Sequence, residues 1–212
     1  MHTRARILVV AATDKELAAP DGWLTLRCGV GPVDAAAATA AAIARHQPAA
    51  ILHVGIAGAR RHRALAPATI VIGREARYHD LGVPPEWAPR IVRPSPALLQ
   101  AAHAALPAAL VLPIGTSGRV GGTVSGADAD ADADADIACD VEAMEGFAVL
   151  RAAQLAGIPA LEVRAISNDI EEHDRARWHF AAAFAAITAI TPSLVQAFVE
   201  SLEAHALAGR HE

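Results

Sequence analysis

Two short segments hold most of the side chains able to do chemistry: Val141-Glu142-Ala143-Met144-Glu145-Gly146-Phe147 and Val163-Arg164-Ala165-Ile166-Ser167-Asn168-Asp169. A carboxylate such as Glu145 accepts hydrogen bonds from two neighbouring hydroxyls and stabilises positive charge developing beside it. Met144 offers a soft, adaptable apolar surface next to it. The Asn168 amide carries one acceptor group and two donor hydrogens, enough to read the edge of a heterocyclic base. Taken alone, Glu145 equally fits a helix-start acid favoured by the macrodipole, with Met144 in the core.

The elements that must position these residues alternate between strand and helix. Residues 6–12 form a β-branched apolar run and predict a buried first strand; Asp14-Lys15-Glu16-Leu17 predicts a short helix capped by Thr13. Residues 23–30 predict a second strand. It ends in Gly29-Val30-Gly31-Pro32 and leads into a helix over 33–47, with Pro32 near its first turn. A short strand over 51–54 delivers the loop Gly55-Ile56-Ala57-Gly58, and 69–78 is a strand followed by a Pro-rich loop through Pro96. Next come a helix over 97–106, strands over 111–114 and 119–124, and a helix over 146–155 stopped by Gly157-Ile158-Pro159. A strand over 161–166 returns to Asn168, and a C-terminal helical region starts near Arg175 and breaks at Pro192. Side chains leaving the carboxyl ends of strands face the crevice of an α/β fold, which puts Glu145 and Asn168 at one mouth.

The bulk numbers fit one domain over residues 1–212, large enough to bury a full core. No apolar run is expected to approach the ~18 residues of a membrane span, and residues 7–12 are too short for a signal core. Cys28 and Cys139 match neither a metal spacing nor a disulfide scaffold, so the expectation is a reduced, cytoplasmic enzyme. The net charge of −5 equals the five aspartates of an Ala-Asp tract, Asp128, Asp130, Asp132, Asp134 and Asp136; elsewhere acids and bases balance. No basic stripe with interleaved aromatics suggests nucleic acid. The tract lacks the bend glycine and terminal glutamate of an EF-hand, so it is read as a solvated helix rather than a cation site.

The ordered motifs resemble the purine nucleoside phosphorylase/nucleosidase family. Ile7-Leu8-Val9-Val10-Ala11-Ala12-Thr13-Asp14-Lys15-Glu16 is similar to the nucleosidase segment whose last Glu activates the attacking water. Gly29-Val30-Gly31-Pro32 resembles the family's Gly-x-Gly turn, and Val54-Gly55-Ile56-Ala57-Gly58 its ribose loop. Tyr78-His79-Asp80 and Val124-Ser125-Gly126 follow in the family's order, ahead of Met144-Glu145 and Ser167-Asn168. The resemblance implies a general base at Glu16, ribose contacts at Met144, Glu145 and Ile56, and base contacts at Ser167 and Asn168. It also implies an aromatic lid at Trp178, which by itself could be a core residue of the last helix.

Three departures narrow the branch. Ile56 stands where the family carries a serine, and Ala127-Asp128 where an aromatic stacks on the purine. Asn168 stands where the adenine-specific methylthioadenosine/S-adenosylhomocysteine nucleosidases carry Asp. Asn cannot protonate N7, but its oxygen can accept from a protonated N7 while its NH₂ donates to a 6-oxo group. Within the family this pattern implies a 6-oxopurine nucleoside. A substrate with an aryl carboxylate would need open water or a cation there, for which Arg77, His79 and Arg177 are the candidates.

The expectation is therefore an α/β fold in three layers, with a mixed central sheet between helices. Its reaction would be hydrolysis of an N-glycosidic bond, with no metal or organic cofactor. The partners expected are a small nucleoside and a second copy of the chain, in a homodimer or higher oligomer, without nucleic acid or membrane. The rivals are a 6-aminopurine nucleosidase, a phosphorylase using phosphate for water, and a non-catalytic purine-binding protein.

Overall fold

A computed structural model describes residues 6–84, 86–120 and 139–208. The Ala-Asp tract, Val124-Ser125-Gly126 and most of the strand expected over 119–124 lie outside those residues. Arg119 and Val120, which are described, sit in a bend and turn rather than a strand.

β1 (Ile7–Ala11) is buried at every position because it lies between two parallel neighbours, β2 (Leu24–Arg27) and β3 (Ala50–Ala59). A strand covered on both faces needs a continuous apolar run, and Ile-Leu-Val-Val-Ala supplies it. The remaining strands are β4 (Ile70–Tyr78), β5 (Ile91–Val92), β6 (Leu110–Thr116), β7 (Val141–Ala143) and β8 (Ala160–Asp169). They form one mixed sheet in the order β2-β1-β3-β7-β6-β4-β5, with β8 inserted between β3 and β4. Since β7 pairs antiparallel with β3 at Gly58↔Glu142, the strands β3, β8, β4, β6 and β7 close into a ring.

Helices α1 (Pro32–His46) and α3 (Gly146–Leu155) cover one face; α2 (Pro96–Ala105) and α4 (Phe180–Ala208) cover the other. The fold is the expected α/β arrangement, with the ring closure added. Period-two alternation along β3 and β8 sends Leu52, Val54, Leu161 and Val163 to the α2/α4 face. Their neighbours Ile51, His53, Glu162 and Arg164 therefore point toward α1 and α3.

Three expectations about elements need correction. Gly55-Ile56-Ala57-Gly58 is strand, not loop: β3 runs on to Ala59, paired in parallel with β8 through Ala59↔Asp169. Its small residues allow two strands to stay in register deep in the molecule, with a shift between Ala57 and Gly58. The Pro-rich loop contains β5, which pairs antiparallel with the end of β4. Finally, α4 does not break at Pro192. Loss of the proline's N–H costs ~3 kcal/mol, but Ile187, Leu194, Val195 and Phe198 on its inner face are buried, each worth about 1.5–3 kcal/mol. By length and composition α4 is also apolar enough to cross a membrane, against the expectation that no apolar run comes near that length. Its buried side chains join the core cluster that contains β1, β3 and β8, as expected of a core helix.

Candidate active site

A cavity of about 350 Å³ opens where β1, β3, β7 and β8 end. Glu16, Ile56, Met144, Glu145, Ser167, Asn168 and Trp178 all line it, so the residues expected at the base, ribose, purine and lid positions meet there.

Glu16 closes a 3-10 turn, Asp14–Glu16, and is only 4% exposed. Its Oε2 accepts from the Thr13 backbone N–H at 2.9 Å and the Thr13 hydroxyl at 2.8 Å. Thr13 is the N-cap of this turn and forms a capping box with Glu16. Oε1 accepts from the backbone N–H of Ile56 at 3.2 Å. The Ile56 side chain lines the cavity.

Glu145 is the N-cap residue of α3, also 4% exposed, but its carboxylate does not cap that helix. It reaches across to accept from the backbone N–H of Gly31 at 3.1 Å and faces Arg164 Nη2 at 3.4 Å. Gly31 has φ +93°, a conformation that favours glycine and that turns its N–H toward Glu145. The helix-start reading of Glu145 is therefore incomplete: its partners are a turn 114 residues away and a buried arginine. Met144, half-buried, stands beside it on the cavity wall.

Asn168 lies at the end of β8. The Ser167 hydroxyl donates to Asn168 Oδ1 at 2.7 Å, and Asn168 Nδ2 donates to the Asp169 carbonyl at 2.8 Å. These partners assign the amide orientation, because the reverse one would set two oxygens against each other at Asp169. One lone pair of Oδ1 and one hydrogen of Nδ2 remain for a ligand.

Trp178 sits ahead of α4, as the C-cap of the 3-10 turn Arg175–Arg177, not within the last helix. Its indole N–H donates to the Glu172 carbonyl at 2.9 Å. It packs against Phe180, with ring centroids 5.4 Å apart, and Phe180 stacks on Phe184. Phe180 and Phe184 were not anticipated from the sequence; they supply the aromatic wall that Ala127-Asp128 could not.

Beneath the cavity lies a charged cluster that sequence reading also missed. Arg164, 1% exposed, has Nε 2.7 Å from Glu162 Oε1, Nη2 against His53 and Glu145, and Nη1 directed at the Ile56 carbonyl. Burial works against the Arg164 charge, but Glu162, Glu145 and Glu16 outweigh it and raise its pKa, so the guanidinium stays ionised. Burial raises the Glu162 carboxyl above its ordinary range, against the pull of Arg164. Burial and the Arg164 charge lower His53 well below its usual value, leaving a neutral ring whose Nδ1 faces the Val10 carbonyl at 3.0 Å. Cys28 lies close by, and burial together with the Glu145 charge pushes its thiol up to about 12, too high for a nucleophile. Glu142 on β7 also reaches the cavity, 2.7 Å from Arg60.

The cations suggested for an aryl carboxylate lie elsewhere. Arg77 is paired with Glu75, Arg177 with Glu172, and the His79 side chain is buried beside Glu142. The arginines that do line the cavity are Arg119 and Arg175, both exposed at its mouth. Among the described residues, no group of three or more His, Cys, Asp or Glu is arranged to hold a metal.

A second recess, about 720 Å³ and almost wholly apolar, runs between α1 and α3 on the outer surface. Val33 and Leu155 border it at 78% and 73% exposure, and Pro32 joins it to the turn that holds Glu145.

Comparison with known proteins places this geometry. The family model of the Phosphorylase superfamily matches residues 23–200. The chain is 33% identical over 182 residues to a futalosine hydrolase of Streptomyces coelicolor, covering 80% of this chain and 77% of that protein. It is similar in structure to a 5′-methylthioadenosine/S-adenosylhomocysteine nucleosidase from Colwellia psychrerythraea solved with adenine (TM-score 0.74, 22% identity, 94% of this chain and 96% of that one). It is likewise similar to the native futalosine hydrolase of Helicobacter pylori (TM-score 0.75, 17% identity, 92% and 99%). At those identities the two structures speak for the fold.

Proposed function

Because the chain belongs to the phosphorylase superfamily, we propose that it is an N-glycosidic hydrolase that cleaves futalosine, a 6-oxopurine nucleoside, and releases hypoxanthine. The single observation that carries this reading is the convergence of Glu16, Glu145 and Asn168 on one cavity, with Arg164 beneath both carboxylates.

Glu145 accepts hydrogen bonds from the ribose hydroxyls and faces the positive charge that grows on the sugar as the C1′–N9 bond breaks. The bonding electrons leave with the purine, which takes up a proton at N7 from solvent. Asn168 Oδ1 accepts from that N7–H, and Nδ2 donates to O6. Glu16 accepts a proton from the water that attacks C1′. Met144 and Ile56 bound the ribose, and Trp178 with Phe180 and Phe184 encloses the apolar end.

A phosphorylase is the weaker reading. Three carboxylates surround one guanidinium here, and the Gly31 N–H of the early glycine turn is already taken by Glu145. A phosphate dianion entering beside Glu16 would meet net negative charge. Arg119 and Arg175 at the mouth suit the substrate's aryl carboxylate. The apolar recess between α1 and α3 suits a second copy of the chain, giving a homodimer whose partner borders Val30 and the mouth. Residues 1–212 act as one nucleosidase domain, in the cytoplasm, within menaquinone biosynthesis.

The test is hypoxanthine release from futalosine in phosphate-free buffer. Release without phosphate supports hydrolysis, release only with phosphate makes the protein a phosphorylase, and no release with tight purine binding makes it a binding protein.

A further inference from the structure

We propose that Glu162, together with His53, is a positioning residue that fixes the Arg164 guanidinium between Glu16 and Glu145. The inference rests on the hydrolase reading above and concerns how its two carboxylates are aligned.

The sheet register builds the arrangement. His53 is opposite Glu162 and Gly55 is opposite Arg164 on the paired strands β3 and β8. Glu162 and Arg164, two residues apart on one strand, point to the same face, so their side chains meet without a turn. The guanidinium is then gripped on every edge: Nε by Glu162, Nη2 by His53 and Glu145, Nη1 toward the Ile56 carbonyl. A neutral His53 can accept from Arg164 only through Nε2, and its Nδ1 contact with the Val10 carbonyl leaves that nitrogen free.

Two glycines show how tightly this group fits the reactive segments. A Cβ at Gly55 would overlap Arg164 Nη1 and stand 3.0 Å from Glu16 Oε1. A Cβ at Gly146, the residue after Glu145, would overlap the Glu162 carboxylate. The clamp therefore presses on the backbone next to Ile56, which holds Glu16, and on the backbone next to Glu145 itself. Glu162 Oε2 meanwhile has no hydrogen-bond partner among the described residues. A fully buried acid with one oxygen unmet is costly for folding alone. Its return is the orientation of the one cation shared by both reacting carboxylates.

The titratable groups facing Arg164 are Glu16 from the first turn, Cys28 just past β2, His53 from β3, Glu145 from the start of α3 and Glu162 from β8. Among the described residues only Glu162 binds Nε, the atom that sets the direction of the whole planar group.

The experiment compares kcat and KM for hypoxanthine release in the parent, Glu162→Gln and Glu162→Leu, with circular dichroism and thermal melting as folding controls. Gln keeps the oxygen that accepts from Nε and should stay within about threefold of the parent. Leu removes it and should lower kcat by roughly 10²-fold, as misplacement by about 1 Å does, with KM changed less than threefold. A folded Glu162→Leu variant with parental kcat, or a Gln variant as impaired as Leu, overturns the proposal. Should the Leu variant not fold, Gly146→Ala displaces the carboxylate without removing it: the same loss is expected, and full activity overturns the role. Crystal structures of these variants read the inference independently of activity. Arg164 still 3.4 Å from Glu145 in a variant lacking the Glu162 contact overturns it even if the parent cleaves no nucleoside, an outcome that sinks the hydrolase reading separately.

Discussion

Substituting Asn168→Asp should erode or invert the enzyme's choice between a 6-oxopurine nucleoside and its 6-amino counterpart. In the parent protein, Ser167 donates to Oδ1 and Nδ2 donates to the Asp169 carbonyl. The amide therefore offers a ligand one lone pair and one N–H. With N7–H on the lone pair, the N–H meets an acceptor at O6 but a donor at a 6-amino group. Flipping the amide would relieve that clash only by setting Oδ1 against the Asp169 carbonyl, 2.8 Å away. Either way one buried polar contact is lost, worth about 2–3 kcal/mol, or ~30- to 150-fold in kcat/KM. In the Asp variant, the oxygen nearest Asp169 must hold a proton to donate to that carbonyl, and its lone pair can then accept from the amino group. The assay is kcat/KM for futalosine and aminofutalosine with both proteins. Equal rates on the two substrates by the parent, or an unchanged 6-oxo preference in the variant, would refute the reasoning.

Four other outcomes are expected. Glu16→Gln should lower kcat by ~10²- to 10⁴-fold while nucleoside binding, measured by calorimetry, persists. Glu145→Ala should damage both KM and kcat, by about 1.5–3 kcal/mol or more in kcat/KM. Leu155→Arg, placing a charge in the α1/α3 recess, should shift the protein to monomer in light scattering if that face joins two copies. Cys28 and Cys139, both with thiols pushed up to about 12 by burial, should resist thiol reagents at pH 8 until the protein unfolds. Above the ordinary thiol range the unfolded chain releases protons that the native state retains. The two cysteines should therefore lower stability as pH rises from about 9 toward 12, measurable in urea titrations.

What the sequence made legible divides by the kind of signal each element carries. Apolar periodicity and cap residues located β1, α1 and α3 to within a residue or two, because those elements are buried by their own local pattern. The length of β3 was hidden, since Gly55 and Gly58 look like loop residues and pairing with β8, and with β7 at Gly58, makes them strand. Continuity through Pro192 was hidden for a related reason: tertiary burial overrides local propensity. At the site, Glu16, Glu145, Asn168 and Trp178 were visible as motif residues. The Glu162–Arg164 pair is visible too, as two opposite charges at strand spacing inside an apolar run, but spacing alone does not show that Arg164 reaches His53 and Glu145. His53 gave no signal; its partner lies 111 residues away. Phe180 and Phe184 passed as ordinary residues of an apolar helix.

The long pairing of β3 with β8 has a consequence for how this protein comes to life. Ser167 and the Ala57 carbonyl meet across 110 residues of chain, and Arg164 meets Ile56 across 108. Contacts of that span close late and slowly, because a large loop must be ordered before they form. Glu16 enters from one end of the polypeptide and Glu145 and Asn168 from the other, so neither half of the chain holds all the lining residues. A nascent chain still lacking β8 is inert however well its first half has folded. On dilution from denaturant, the return of turnover should lag the return of helical circular dichroism and mark the moment these two central strands zip together.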